Sequence, residues 1–121
     1  MSCNEASFRF ERKEHLKGRS EIRAVFEKGR QFFCRGAKLF VLKNDLPHNR
    51  ICFTFQRGKS FGKAVARNRA RRLGREAFRL LNGRLCGGND FILLVYPETD
   101  MNLSGRLGQL ESLFNKAGLL K

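Results

Sequence analysis

FGKAVARNRARRLGREAFRLLNGR, residues 61–84, is the stretch whose folding decides how the rest of the chain is arranged. At about 100° per residue its side chains sort onto two sides of a helix running roughly from Lys63 to Leu81. Ala66, Ala70, Leu73, Ala77, Leu80 and Leu81 fall on one side. Arg67, Asn68, Arg71, Arg72, Arg75 and Arg79 fall on the other, with Arg69 near the boundary. Glu76 is the single acid of the stretch. Guanidinium groups crowded on one helix repel one another unless a polyanion lies against them, and the planar fork of Arg grips a phosphate with two parallel hydrogen bonds. An ordinary run of charge is a solvated helix face, but such a face is interspersed with acids. Their scarcity here favours a surface turned toward RNA or DNA.

Outward from this helix the periodicity changes. On its N-terminal side, Arg50 to Gln56 (RICFTFQ) alternates as a strand, with Ile51, Phe53 and Phe55 on one face and Cys52 and Thr54 on the other. Arg57 to Gly62 is a basic, glycine-containing loop, and Asn44 to Asn49 (NDLPHN) has the residues of a turn. Before it, GRQFFCRGAKLFVLK is β-rich and broken at Gly36, which gives either two short strands or one strand with a bulge. A first helix is expected from Gly18 or Arg19 to Lys28, capped by Ser20, striped by Ile22, Val25 and Phe26, and ended by Gly29. Residues 1–12 have no usable period and are expected to form a mobile arm. On the C-terminal side, Asn82 and Gly83 offer a helix stop and Gly87 to Asp90 a turn. An apolar strand follows from Phe91 to Tyr96, stopped by Pro97. Leu107, Leu110, Leu113 and Phe114 stand at helical spacing in a last helix between Ser104 and Gly118. The expected fold is a single α+β domain, an α/β sandwich of helices against one small sheet.

The chain has 121 residues and a net charge of +14. That length suits one domain with its own core, and that charge calls for a polyanionic partner, nucleic acid before an anionic membrane. No apolar run approaches a membrane span, and MSCNEASFRFERKEHLKG has no apolar signal region, so a cytoplasmic protein without membrane contact is expected. Cys3, Cys34, Cys52 and Cys86 lie far apart with no metal-ligand spacing, which reads as reduced thiols and no protein-held metal. The acids are scattered, and His15 and His48 have no partner at motif spacing and read as solvated surface residues. Protein-only phosphodiester cleavage wants clustered carboxylates or paired histidines. Hence no catalytic residue is expected on this chain.

The string GKAVARNRARRLGREAF, Gly62 to Phe78, closely resembles the signature of the protein component of bacterial ribonuclease P. The resemblance extends over nearly the whole chain. A first helix ending in V-F-x-x-G matches Val25, Phe26 and Gly29, and the strand, loop, long helix and proline-ended apolar strand follow in order. It implies an αβββαβα order with a small mixed four-stranded sheet and a left-handed βαβ crossover around the long helix. It further implies a partner, the catalytic RNA, which with Mg²⁺ bound mainly by RNA and substrate removes the 5′ leader of precursor tRNA. The protein, monomeric on its own, would be the subunit of this ribonucleoprotein endoribonuclease that binds both RNAs.

Carried over by position, Arg67, Asn68, Arg69, Arg71, Arg72, Arg75 and Arg79 become the surface for the catalytic RNA. Ile22, Phe26, Phe40, Arg57, Lys59 and Lys63 become the leader-binding cleft, in keeping with the aromatic platforms and positive groove that hold single strands. Phe26 reads equally as helix core and as platform. The chain departs from the family pattern at Ile22, where an aromatic is frequent, and at Phe40, where an aromatic hydroxyl otherwise occurs. The loop RGKSFG is about two residues longer than the family's. A ribosomal or other structural RNA-binding protein would account for the charge and the arginine helix, though not for the element order. A helix-turn-helix DNA reader lacks the short helix before the arginine helix.

Overall fold

Gly36 reverses the chain in the computed structural model, which describes residues 15–55, 64–96 and 102–121. Its φ of 85° lies in the left-handed region that side chains disfavour. The elements run α1 (Arg19–Lys28), β1 (Arg30–Cys34), β2 (Ala37–Lys43), β3 (Arg50–Phe55), α2 (Ala64–Asn82), β4 (Asn89–Val95) and α3 (Leu103–Lys116). Of the two readings of the β-rich run, the hairpin is the one formed, with Cys34 opposite Ala37. The four strands lie in the order β1-β2-β4-β3. β4 pairs antiparallel with β2 and parallel with β3, so α2 is the connection between two parallel neighbours. This is the mixed α+β sandwich expected from the sequence.

Period-two alternation divides the sheet between two cores. Leu39, Val41, Ile51, Phe91, Leu93 and Val95 point to the face covered by α2 and α3, where they meet Ala70, Ala77, Phe78, Leu81, Leu110, Leu113 and Phe114. Phe91 and Phe114 pack edge to face with centroids 5.0 Å apart, and Phe78 lies 6.2 and 6.4 Å from them. Burying each such ring contributes on the order of 2–3 kcal/mol. Phe40 and Ile92 point to the opposite face, where α1 covers them with Val25, beside Leu16. The hydrophobic repeat of α2 is accordingly centred differently from the one expected. Phe78 is fully buried, whereas Leu80 is exposed.

The ends of α1, β4 and α3 differ from expectation. Gly18, not Ser20, is the N-cap of α1, and it gives no side-chain bond. Gly29 does end the helix, but at φ −71° its role is space rather than a left-handed turn. A Cβ there would lie 2.4 Å from the Val25 carbonyl oxygen and 3.1 Å from that of Val41. β4 begins at Asn89, before the expected Phe91, because buried polar groups pair there. The Asn89 N–H donates to Asn49 Oδ1 at 3.0 Å, and Asn49 Nδ2 donates to Asn82 Oδ1 at 3.2 Å, so the end of α2 is tied to the start of the parallel pair. Tyr96 falls outside the strand. α3 starts one residue early because Asn102 caps it, accepting from the Gly105 N–H at 2.8 Å. Residues 1–12, Gln56 and the loop 57–62 lie outside the described residues.

Candidate nucleic-acid interface

α2 approaches the sheet closely because small residues line its inner side. Ala70, Gly74 and Ala77 are buried, and a Cβ at Gly74 would lie 2.6 Å from the Phe53 ring. Nothing in Ala64–Asn82 breaks the helix, and Val65 is the β-branched exception at its exposed start. Asn68, Arg69 and Arg72 are exposed, and Arg67, Arg71, Arg75 and Arg79 are half-buried. Arg71 Nη1 donates to Asn68 Oδ1 at 3.0 Å, and its guanidinium lies 5.3 Å over the Phe55 ring. The first contact sets the Arg71 side chain along the helix, and the second rests it on the end of β3. Among the described residues no acid pairs with Arg69, Arg71 or Arg72. Desolvation, helped by the neighbouring Arg71 charge, lowers the pKa of Arg75. Arg79 differs. It bonds both carboxylate oxygens of Glu76, which holds the Glu76 pKa down and raises that of Arg79.

A second surface lies on the other side of the sheet, beside α1. Phe26 is 39 % exposed and meets Phe40 edge to face at 4.9 Å, while Phe40 itself is 6 % exposed. Lys38 Nζ sits 4.9 Å over the Phe40 ring. On the same face, register aligns Lys38, Leu94 and Thr54 as one row and Phe40, Ile92 and Cys52 as the next. Lys38, Leu94, Thr54 and Cys52 are half-buried, leaving an open strip of sheet alongside the helix. Burial pushes the Cys52 thiol up, and Arg71 partly opposes this. α1 is fastened beside the strip by charge. Arg50 holds Asp90 with two bonds of 2.9 and 2.7 Å and Glu21 of α1 with one of 2.8 Å. These partners raise the Arg50 pKa further, the Asp90 bond contributing most. Asn44 Nδ2 adds a third bond to Asp90 at 2.7 Å.

Comparison with known proteins decides the family. The family profile for ribonuclease P matches residues 10–118. The chain belongs to the ribonuclease P protein component family. The ribonuclease P protein component of Natranaerobius thermophilus is 43 % identical over 85 residues, covering 70 % of this chain and 72 % of that protein. The one from Clostridium acetobutylicum is 33 % identical over 112 residues, covering 90 % and 92 %. In fold the chain is similar to the RNase P protein of Staphylococcus aureus, with a TM-score of 0.77 at 23 % identity, covering 89 % of this chain and 98 % of that one.

Within this ribonuclease P protein fold, the carried-over residues separate into three groups. Arg67, Asn68, Arg69, Arg71, Arg72 and Arg75 share one helix surface, while Arg79, on the same helix, is engaged by Glu76. Ile22, Phe26 and Phe40 come together beneath and beside α1, but Ile22 packs into the small core and Phe40 is its floor, so neither offers a base an open ring. Phe26 rests edge to face on Phe40 and leaves part of its ring exposed. Arg57, Lys59 and Lys63 lie outside the described residues. The two histidines are not simple surface residues: both are half-buried, His15 bridges Ile51, and the His48 carbonyl accepts from Asn44 Nδ2. Cys34 and Cys52 stand on opposite edges and opposite faces of the sheet, too far apart to form a disulfide. Sequence reading missed Arg50, Asp90 and Lys38. Arg50 and Asp90 become neighbours only through the parallel register of β3 and β4. Lys38 could have been found by folding the hairpin about Gly36, which sets Phe33 opposite it.

Proposed function

We propose that this chain is the protein subunit of ribonuclease P. It binds the catalytic RNA through the arginine face of α2, and the 5′ leader of precursor tRNA along the strip beside α1. The observation that carries this reading is the arginine face of α2, where Arg69, Arg71 and Arg72 meet no acid among the described residues and Arg71 lies over Phe55 at the end of β3. Phosphate-gripping guanidinium groups on one side of the sheet and a half-open strip with an aromatic margin on the other are the combination suited to a structured RNA and a single strand. The protein's part is to bind, orient and neutralise, while the phosphodiester hydrolysis belongs to the RNA.

Magnesium, on this reading, resides on the RNA partner and the substrate. Among the described residues no three His, Cys, Asp or Glu side chains converge. Glu21 and Asp90 are both engaged by Arg50, so these residues do not fit a protein-held ion. No helix among the described residues is long and apolar enough to cross a membrane. A cytoplasmic protein, monomeric until it meets RNA, completes the proposal.

Reconstitution tests it. Purified protein is mixed with the catalytic RNA of the same organism at low magnesium, and leader release from a precursor tRNA is followed. Cleavage that needs both components is the expected result. RNA activity indifferent to the protein, together with tight binding to ribosomal RNA, would replace the proposal with a structural RNA-binding role. In the same assay Phe26→Ala weakens leader-bearing substrate and spares assembly with the catalytic RNA. Equal loss for precursor and mature tRNA would count against the cleft.

A further inference from the structure

The open strip does not end at Phe40. β1 carries it outward to Phe33, which is 55 % exposed and points to the same face as Phe40. Lys38 joins the two rings: its Nζ lies 4.7 Å over Phe33 and 4.9 Å over Phe40. Single exposed apolar residues are common and need no explanation. Phe33 is different in its setting, for it carries the Lys38, Leu94 and Thr54 row out to the edge strand and has an ammonium group seated between it and the Phe40 ring. It is also held still. Lys116 Nζ donates to the Phe33 carbonyl oxygen at 2.6 Å, and Gln109 Nε2 donates to the Arg35 carbonyl oxygen at 2.9 Å, fastening β1 to α3. A platform fixed before its ligand arrives loses less entropy on binding.

We propose that Phe33 and Lys38 form an additional nucleotide subsite at the β1 end of the groove, taking one more base of single-stranded leader by stacking on Phe33 and its phosphate on Lys38. The proposal rests on the leader reading above and extends it. Strand spacing of roughly 4.8 Å puts β1 about 14 Å from β3 across the sheet. The subsite therefore engages leader nucleotides far from the arginine helix, and leaders too short to cross the sheet do not reach it. Stacking accepts any base, because each presents a π face, while the cation supplies attraction for the backbone. The net charge of +14 suits a polyanionic strand rather than an apolar protein partner on this face.

The test is a leader-length series. Holoenzyme reconstituted with wild-type protein, Phe33→Ala, Phe33→Tyr or Lys38→Ala is titrated with precursor tRNAs whose leaders grow one nucleotide at a time. For the wild type, affinity rises with length and then levels off. Phe33→Ala is expected to level off one nucleotide earlier, losing roughly five- to tenfold for long leaders and nothing for short ones. Phe33→Tyr keeps the ring and restores the last step, and Lys38→Ala loses part of it with a weaker salt dependence. Thermal melts should leave Phe33→Ala unchanged, since the ring is exposed. A Phe33→Ala profile that follows the wild type at every length overturns the subsite while leaving the leader cleft standing. A wild type that gains nothing with leader length overturns the cleft and the subsite together.

Discussion

Arg50 spends one guanidinium on two carboxylates from different elements, Asp90 of β4 and Glu21 of α1. Asp90 is buried, so removing its partner strands a charge away from water. Breaking a buried pair in this way costs more than the pair is worth against an apolar replacement. Arg50→Met is expected to destabilise the protein by about 3 kcal/mol, and Arg50→Met combined with Asp90→Leu to recover most of that loss. Urea denaturation of the two variants checks this. A double variant no more stable than the single one would mean that the stranded charge is not the cause.

The arginine helix was the most legible element. Its existence, its bounds to within about a residue and its division into basic and apolar sides follow from the spacing of Ala66 to Leu81 and the scarcity of acids. Illegible was the difference among its cations. Glu76 and Arg79, three residues apart, form an ion pair that neutralises one member of the basic face. Arg72→Ala is therefore expected to weaken binding to the catalytic RNA several-fold, and Arg79→Ala to do so appreciably less. Glu76→Gln should strengthen binding by freeing Arg79. The pH sign agrees. Because Arg79 lowers the Glu76 pKa, the pair's stabilisation is present above the ordinary Glu value of about 4.3 and disappears as pH falls through the lowered folded value. Filter binding on the three variants measures the ranking, and equal losses for Arg72→Ala and Arg79→Ala would remove the distinction.

At the scale of the whole molecule, a charge of +14 on 121 residues makes association with RNA an exchange of counterions for side chains. Affinity for the catalytic RNA should fall steeply with salt, by a log–log slope of roughly 0.9 for each duplex phosphate contacted and 0.7 for each single-stranded one. Arg72→Ala should lower that slope by about 1. Fluorescence titrations at several salt concentrations give both numbers, and a nearly flat dependence would contradict phosphate-led binding.

The sequence by itself determined the positive charge that calls for a polyanionic partner, the succession of helical and β-rich segments, the arginine helix and, through Gly62 to Phe78, the family resemblance. These are local properties: periodicity, charge and turn residues act over a few positions and can be read along the chain. The tertiary structure decided which predicted residues share a surface. Phe40 became floor rather than platform because α1 closes over its row, and Phe26 stayed partly open because it sits at that helix's margin. Phe33, Lys38 and Phe40 became one surface through the hairpin register, and Arg50 met Asp90 through a parallel pairing across 40 residues. Register between distant segments is set by the fit of both sheet faces to their helices at once, and that sum of long-range contacts is not written at any one place in the chain.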